Sequence, residues 1–132
     1  MTATQIGVIG IGAMGMGVAQ SLLRNGWQPY VRDINPAREA EARSAGAIVC
    51  TSAQELATHC DIVITLVVDD QQTDTVLFGA DGAAQALRPG SVVIMSSTVA
   101  PDYAMALAAR LAQQGVSARC AGFRRSGESI VG

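Results

Sequence analysis

The segment Gly10-Ile11-Gly12-Ala13-Met14-Gly15 directly follows a short apolar strand pattern, Gln5 to Ile9, and opens a stretch of helical periodicity, Met14 to Asn25. Three glycines in the spacing GxGxxG at a strand-to-helix junction constrain the chain more than any other feature. Gly10 permits a tight turn, Gly12 lets the backbone approach a ligand with no Cβ in the way, and Gly15 lets the helix pack close to the strand. The helix start then presents unpaired N–H groups and the positive end of its dipole, which suits a pyrophosphate. Glycine-rich turns also close helices and hairpins for structural reasons alone, so the context decides.

Downstream, apolar runs bounded by turn residues alternate with helical stretches. Val18, Ala19, Leu22 and Leu23 share one face of the first helix, and Asn25-Gly26 supplies a left-handed stop. A second strand runs from Gln28 to Arg32. Asn35-Pro36 opens a polar helix through Ser44, closed by Gly46 before a short strand, Ala47 to Val49, and Ser52 caps a helix reaching Thr58. Asp61 to Val68 is nearly all apolar and β-branched, as expected of a central strand covered on both faces. A helix from Gln71 to Phe78, turns at Gly79, Asp81-Gly82 and Arg88-Pro89-Gly90, a strand from Val92 to Met95 and an alanine-rich helix from Ala100 to Gln114 follow. This alternation predicts an α/β fold, a Rossmann-type doubly wound parallel sheet with helices on both faces. At 132 residues and 49% hydrophobic content the chain has the size and apolar content of one domain.

The second strand ends in Asp33, eighteen residues beyond Gly15. A carboxylate there can accept hydrogen bonds from both adenosine ribose hydroxyls, each such charge-assisted bond contributing about 1.5–3 kcal/mol. It also repels the extra phosphate of NADP and so favours NAD. Arg32 and Arg38, either of which can swing toward a 2′-phosphate, keep NADP open. Read alone, Asp33 is better taken as a turn or helix-capping carboxylate; beside the glycine fingerprint the binding role is favoured. Two later strand ends, Leu66 to Asp69 and Ser96 to Thr98, should approach the same crevice, because ligands of doubly wound sheets sit outside the carboxyl ends of strands. Ser96-Ser97-Thr98 offers hydroxyls near a nicotinamide, or an ordinary cap for the helix after Pro101. Asp69-Asp70 has the look of a metal pair but suits a helix cap better. A methyltransferase-like domain for S-adenosylmethionine also uses a glycine-rich first turn and an acidic second strand end. The GxGxxG spacing and the Ser-Ser-Thr segment speak against it.

Net charge is −2, charged residues make up 15%, and no basic run occurs, so nothing suggests nucleic acid or an anionic membrane as a partner. The amino terminus shows no signal-peptide pattern and no apolar run is long enough for a bilayer, so a cytoplasmic protein is expected. Cys50, Cys60 and Cys120 are odd in number and widely spaced, and His59 is the single histidine. Neither a disulfide framework nor a metal site is expected. His59, with no partner evident, reads as a surface or loop residue. All nine basic residues are arginine, and there is no lysine.

Several further segments carry a more specific signal: Gly-Val-Ile-Gly-Ile-Gly-Ala-Met-Gly at 7 to 15, Asp33 with Asn35-Pro36, Asp61-Ile-Val-Ile-Thr-Leu, Phe78-Gly with Gly82, Leu87-Arg-Pro-Gly, and Met95-Ser-Ser-Thr-Val-Ala-Pro101. From Ile6 to about Val116 the chain resembles the β-hydroxyacid dehydrogenases, the family of 3-hydroxyisobutyrate, tartronate semialdehyde, 6-phosphogluconate and L-threonate dehydrogenases. The resemblance implies an NAD(P)-binding domain over residues 1–116, with cofactor at Gly10, Gly12, Ala13, Met14, Gly15, Asp33, the strand end Val67 and Val68, and Thr98 near the nicotinamide. It also implies an enzyme that passes hydride between the nicotinamide and the hydroxyl carbon of a small hydroxy acid, with a lysine of a later helix as acid and base. No residue of this chain takes that role, so it is expected to bind NAD, or NADP, without completing catalysis. The hydroxy-acid substrate and a homo-oligomer belong to the intact enzyme. A non-catalytic dinucleotide-binding module, or the product of a decayed gene, is the alternative.

The family's Asp-Ala-Pro-Val-Ser-Gly-Gly segment should begin just past Val116. The chain instead reads Ser117-Ala-Arg-Cys-Ala-Gly-Phe-Arg-Arg-Ser-Gly-Glu-Ser-Ile-Val-Gly132. Suitable codons for Ala118 to Val131, read one nucleotide later, translate as Leu-Asp-Ala-Pro-Val-Ser-Gly-Gly-Ala-Ala-Lys-Ala-Ser-Ser. Residues 117–132 are therefore expected to be a frame-shifted tail, disordered and fitting no strand, with the sheet truncated before its last strands and the helical partner domain missing.

Overall fold

The computed structural model describes residues 4–10, 13–33, 35–66, 70–95, 101–123 and 129–131. Strand β1 (Ile6–Ile9) leads to helix α1 (Ala13–Arg24), β2 (Tyr30–Arg32), α2 (Pro36–Ala45), β3 (Ile48–Val49), α3 (Ala53–His59) and β4 (Ile62–Thr65). Helix α4 (Asp70–Phe78), a 3-10 turn at Ala83–Gln85, β5 (Val92–Met95), α5 (Pro101–Ala112), β6 (Ser117–Phe123) and β7 (Ser129–Val131) follow. The strands lie in the order β3-β2-β1-β4-β5-β6-β7. All neighbours are parallel except β6 and β7. This is the expected Rossmann-type order, reversing between β1 and β4, where such sheets open a crevice at their carboxyl ends.

Local chemistry sets the helix boundaries. Asn35 caps α2, its Oδ1 accepting the Ala37 N–H at 3.0 Å, with Pro36 in the first helical position. Gly46 ends that helix at φ +113°, donating its N–H to the Ala42 and Arg43 carbonyls. Ser52 Oγ accepts the Glu55 N–H at 3.0 Å, and the Glu55 carboxylate accepts from the Thr51 N–H at 3.0 Å and the Thr51 hydroxyl at 3.2 Å. These bonds satisfy donors that the start of α3 leaves open.

The sheet separates two apolar layers. On one face Ile9, Val63, Val93 and Met95 pack with Leu56 of α3, Leu77 of α4 and Leu107 and Leu111 of α5. On the other, Val8 and Val31 pack with Met16 and Ala19 of α1 and Ala42 of α2. A Cβ on Gly7 would collide with Leu56 and come 2.8 Å from Cys60 Sγ, so this glycine sets how closely α3 approaches β1. No helix among the described residues is long and apolar enough to cross a membrane.

The structure corrects the expectation that the chain from Ser117 fits no strand and that the sheet stops short of it. Ser117–Phe123 pairs in parallel with β5, from Val92 opposite Ser117 to Met95 opposite Cys120. Strand pairing needs only free backbone groups along the edge of β5, and the turn after α5 delivers the chain there. Ser117 and Arg119 are exposed beside the half-buried Val92 and Ile94, and Ala118 is half-buried beside the buried Val93.

Candidate functional site

At the carboxyl end of β1, Gly10 adopts φ +93°, a region that side chains disfavour, and donates its N–H to the Arg32 carbonyl at 2.9 Å. The first turn is thereby tied to the end of β2. Across the sheet's reversal point the Leu66 N–H donates to the Ile9 carbonyl at 2.8 Å. Helix α1 comes down on this turn. A Cβ at Gly15 would fall on the Gly10 carbonyl oxygen, 2.9 Å from its carbon and 3.7 Å from Leu66 Cδ1. Only glycine lets the helix start sit so close to the strand end. The first turn of α1 carries no acidic residue, so no carboxylate of its own opposes an anion at its N–H groups.

Asp33 follows β2 and is half-buried. Its Oδ1 accepts the Asn35 N–H at 2.8 Å, and Asn35 in turn caps α2, so the carboxylate is oriented by the loop it opens. Its carbonyl accepts from Arg32 Nη1 at 2.9 Å, and its N–H donates to Glu39 Oε2 at 3.4 Å. Glu39 lies in the first turn of α2 and pairs with Arg32 Nη1 at 3.1 Å. The sequence reading did not single out Glu39. The signal was an acid in the first turn of the helix after an Arg-Asp strand end, but such an acid is ordinarily read as complementing the helix dipole.

The structure thus brings Gly10, Gly15 and Asp33 to one edge of the sheet. The backbone of Ala13 and Met14 forms the start of α1 beside them. Gly12, Val67, Val68 and Thr98 lie outside the described residues, as do Ser96, Ser97 and Asp69. His59 stands at the end of α3, stacked on Tyr30 with ring centres 5.2 Å apart and planes 6° off parallel. Tyr30 begins β2, at the opposite end from Asp33. Cys50 and Cys60 are buried free thiols. Burial pushes both up to about 12, Cys50 with help from Glu55 and Cys60 with help from Cys50, so they stay protonated at neutral pH. Among the described residues no group of three or more His, Cys, Asp or Glu is placed to hold a metal ion.

A cradle of helix N–H groups held open by two glycines, with a carboxylate one strand away, fits a dinucleotide: the diphosphate at the helix start and the ribose hydroxyls at Asp33. Comparison with known proteins points to the same class of ligand. Residues 5–124 match the family model of the NAD binding domain of 6-phosphogluconate dehydrogenase. An L-threonate dehydrogenase of Cupriavidus necator is 55% identical over 111 residues, 84% of this chain and 37% of the relative. One from Escherichia coli K12 is 41% identical over 108 residues, 81% of this chain and 36% of the relative. A crystal structure of 3-hydroxyisobutyrate dehydrogenase from Salmonella typhimurium superposes with a TM-score of 0.85 at 34% identity, covering 98% of this chain and 47% of that one. The chain spans little more than a third of the length of the curated relatives it matches. With the sheet order, the glycine cradle and these matches in agreement, the chain belongs to the family of 6-phosphogluconate dehydrogenase-type NAD-binding domains, the cofactor domains of hydroxyacid dehydrogenases.

Proposed function

We propose that this domain holds NAD, in preference to NADP, with the diphosphate over the Gly10–Gly15 turn and the adenosine ribose on Asp33, as the cofactor half of an enzyme acting on a small hydroxy acid. The observation that carries this reading is the seat of Gly15 against the Gly10 carbonyl, which sets the amide end of α1 at the carboxyl edge of the sheet. Bound there, the nicotinamide would exchange hydride with the carbon bearing the substrate hydroxyl. The chain's own residues bind and orient: the α1 amides neutralise the diphosphate, Gly10 keeps the approach clear, and Asp33 accepts from the ribose diol. Gly12, Val67, Val68 and Thr98 complete the proposed contact set. Relatives named for L-threonate and 3-hydroxyisobutyrate support a small hydroxy acid as the substrate class. The lysine that the family resemblance assigns to proton transfer has no counterpart among these 132 residues. The chain alone is therefore proposed to bind cofactor without turnover.

Thermal-shift titration with NAD, NADP and S-adenosylmethionine tests the binding claim. A ligand at a hundred times its dissociation constant adds about 2.7 kcal/mol. Stabilisation by NAD at lower concentration than by NADP is expected. No shift with either nicotinamide dinucleotide would remove the reading.

We also propose that the reading frame departs from the family's near Val116 or Ser117. The exposed Ser117 and Arg119 in a strand position beside β5 support this, as does the family segment that the shifted frame spells. Sequencing the coding DNA across Gln114 to Gly132 should show a frame that continues as Asp-Ala-Pro-Val-Ser-Gly-Gly. Absence of that continuation in all three frames contradicts it.

A further inference from the structure

Arg32 is the guanidinium next to Asp33, and the structure shows what holds it. One nitrogen, Nη1, donates both to Glu39 Oε2 at 3.1 Å and to the Asp33 carbonyl at 2.9 Å. The Arg32 and Glu39 side chains are 29% and 16% exposed. The same Glu39 oxygen accepts the Asp33 N–H at 3.4 Å. A single carboxylate of α2 therefore holds the charge of one residue and the backbone of the next. A largely buried pair with supporting hydrogen bonds resists opening, because separating the partners leaves a desolvated charge. Arg38 differs: it meets Glu41 at 3.8 Å with side chains 45% and 60% exposed, the kind of surface pair that contributes little.

We propose that Glu39 is a specificity-determining residue, which by holding the Arg32 guanidinium against α2 and the Asp33 backbone withholds the cation that a 2′-phosphate would require and so sets the preference for NAD over NADP. The inference rests on the cofactor reading given above. Two negative groups then act at the adenosine ribose in different ways. Asp33 takes the hydroxyls and repels a phosphate in their place, while Glu39 keeps occupied the arginine that could offset that repulsion. Without Glu39, Arg32 can rotate and form a guanidinium–phosphate pair, one of the strong classes of charged hydrogen bond.

Calorimetric titration of the 132-residue chain with NAD and with NADP, on wild type, Glu39→Ala, Glu39→Gln and Arg32→Ala/Glu39→Ala, tests this. In Glu39→Ala the NADP dissociation constant should fall, and the NADP-to-NAD ratio of constants should drop by about tenfold, the size expected of one charge-assisted bond gained. Glu39→Gln, which keeps the shape and an acceptor, should give a smaller drop, and it reads the same effect should the alanine variant fold poorly. The double variant should return the ratio toward wild type, because it removes the freed cation. If wild type binds NAD but neither Glu39 variant tightens NADP, or if the gain survives loss of Arg32, the role of Glu39 is overturned. If wild type binds no nicotinamide dinucleotide, the cofactor reading itself fails.

Discussion

The two faces of the sheet are built by different means. Beneath α3, α4 and α5, large side chains run as one layer: Leu56, Leu77 and Leu111 are fully buried and Leu107 nearly so, against Val63, Val93 and Met95. Beneath α1 and α2 the layer is thin, with Ala19 and Ala42 between Val8, Val31 and Met16. Small residues there let helix backbones come close to strand ends, and Gly15 over Gly10 is the limit of that approach. The difference teaches that stability and the proposed binding are loaded on opposite sides: bulk apolar packing secures the fold, while close backbone approach and placed polar groups form the edge proposed for the cofactor.

The largest effect should come from the leucine face. Leu77→Ala, which empties a fully buried site, should cost about 2–5 kcal/mol, read as a lower denaturant midpoint. Met16→Ala on the thin face should fall at the low end of that range, and an equal or larger loss there would break the comparison. Gly15→Ala comes next. Its Cβ meets backbone that cannot turn aside, so a loss of about 1–3 kcal/mol is expected, together with a disproportionate loss of NAD affinity. Asp33→Ala should leave the denaturation midpoint near wild type and weaken NAD binding by about 10- to 150-fold, the equivalent of 1.5–3 kcal/mol. Ser52→Ala, which removes the cap of α3, should cost about 1 kcal/mol with NAD affinity unchanged.

The smallest effect is one of pH. The Thr51 backbone N–H, with help from its hydroxyl, holds the Glu55 carboxyl below the ordinary glutamate range. A carboxyl depressed in the folded state stabilises that state above its unfolded value, about 4.3, and the benefit is lost as pH falls through the lower folded value. Melting temperature should therefore drop less between pH 5 and strongly acid solution in Glu55→Gln than in wild type. Equal drops would assign Glu55 no part in acid sensitivity.

Much of this was legible in the sequence because it depends on neighbours in the chain. Asn35-Pro36, Ser52 and Gly46 mark helix ends through bonds within a few residues, and the helices begin and end within a few residues of where these signals place them. The glycine motif and Asp33 were legible because their spacing encodes one strand–turn–helix–strand unit. What could not be read depends on side chains that meet only after folding. Glu39 reaches back across a strand–helix junction to Arg32, and Gly7 is required by Leu56 and Cys60, far along the chain. Strand β6 was missed for another reason: Ser117 to Phe123 carries no β-branched residue and only a short alternation of polar and apolar residues at its start, and its place is set by the free edge of β5.

The central claim, that the thin face carries the cofactor at its carboxyl edge, is tested most directly by following the backbone amide resonances of the chain while NAD is added. Saturable shifts concentrated at Gly10, Ala13 to Gly15, Asp33 and Glu39, with Leu56, Leu107 and Leu111 undisturbed, are the predicted result. Shifts centred on Tyr30 and His59 at the opposite end of the strands, or none that saturate, would contradict it.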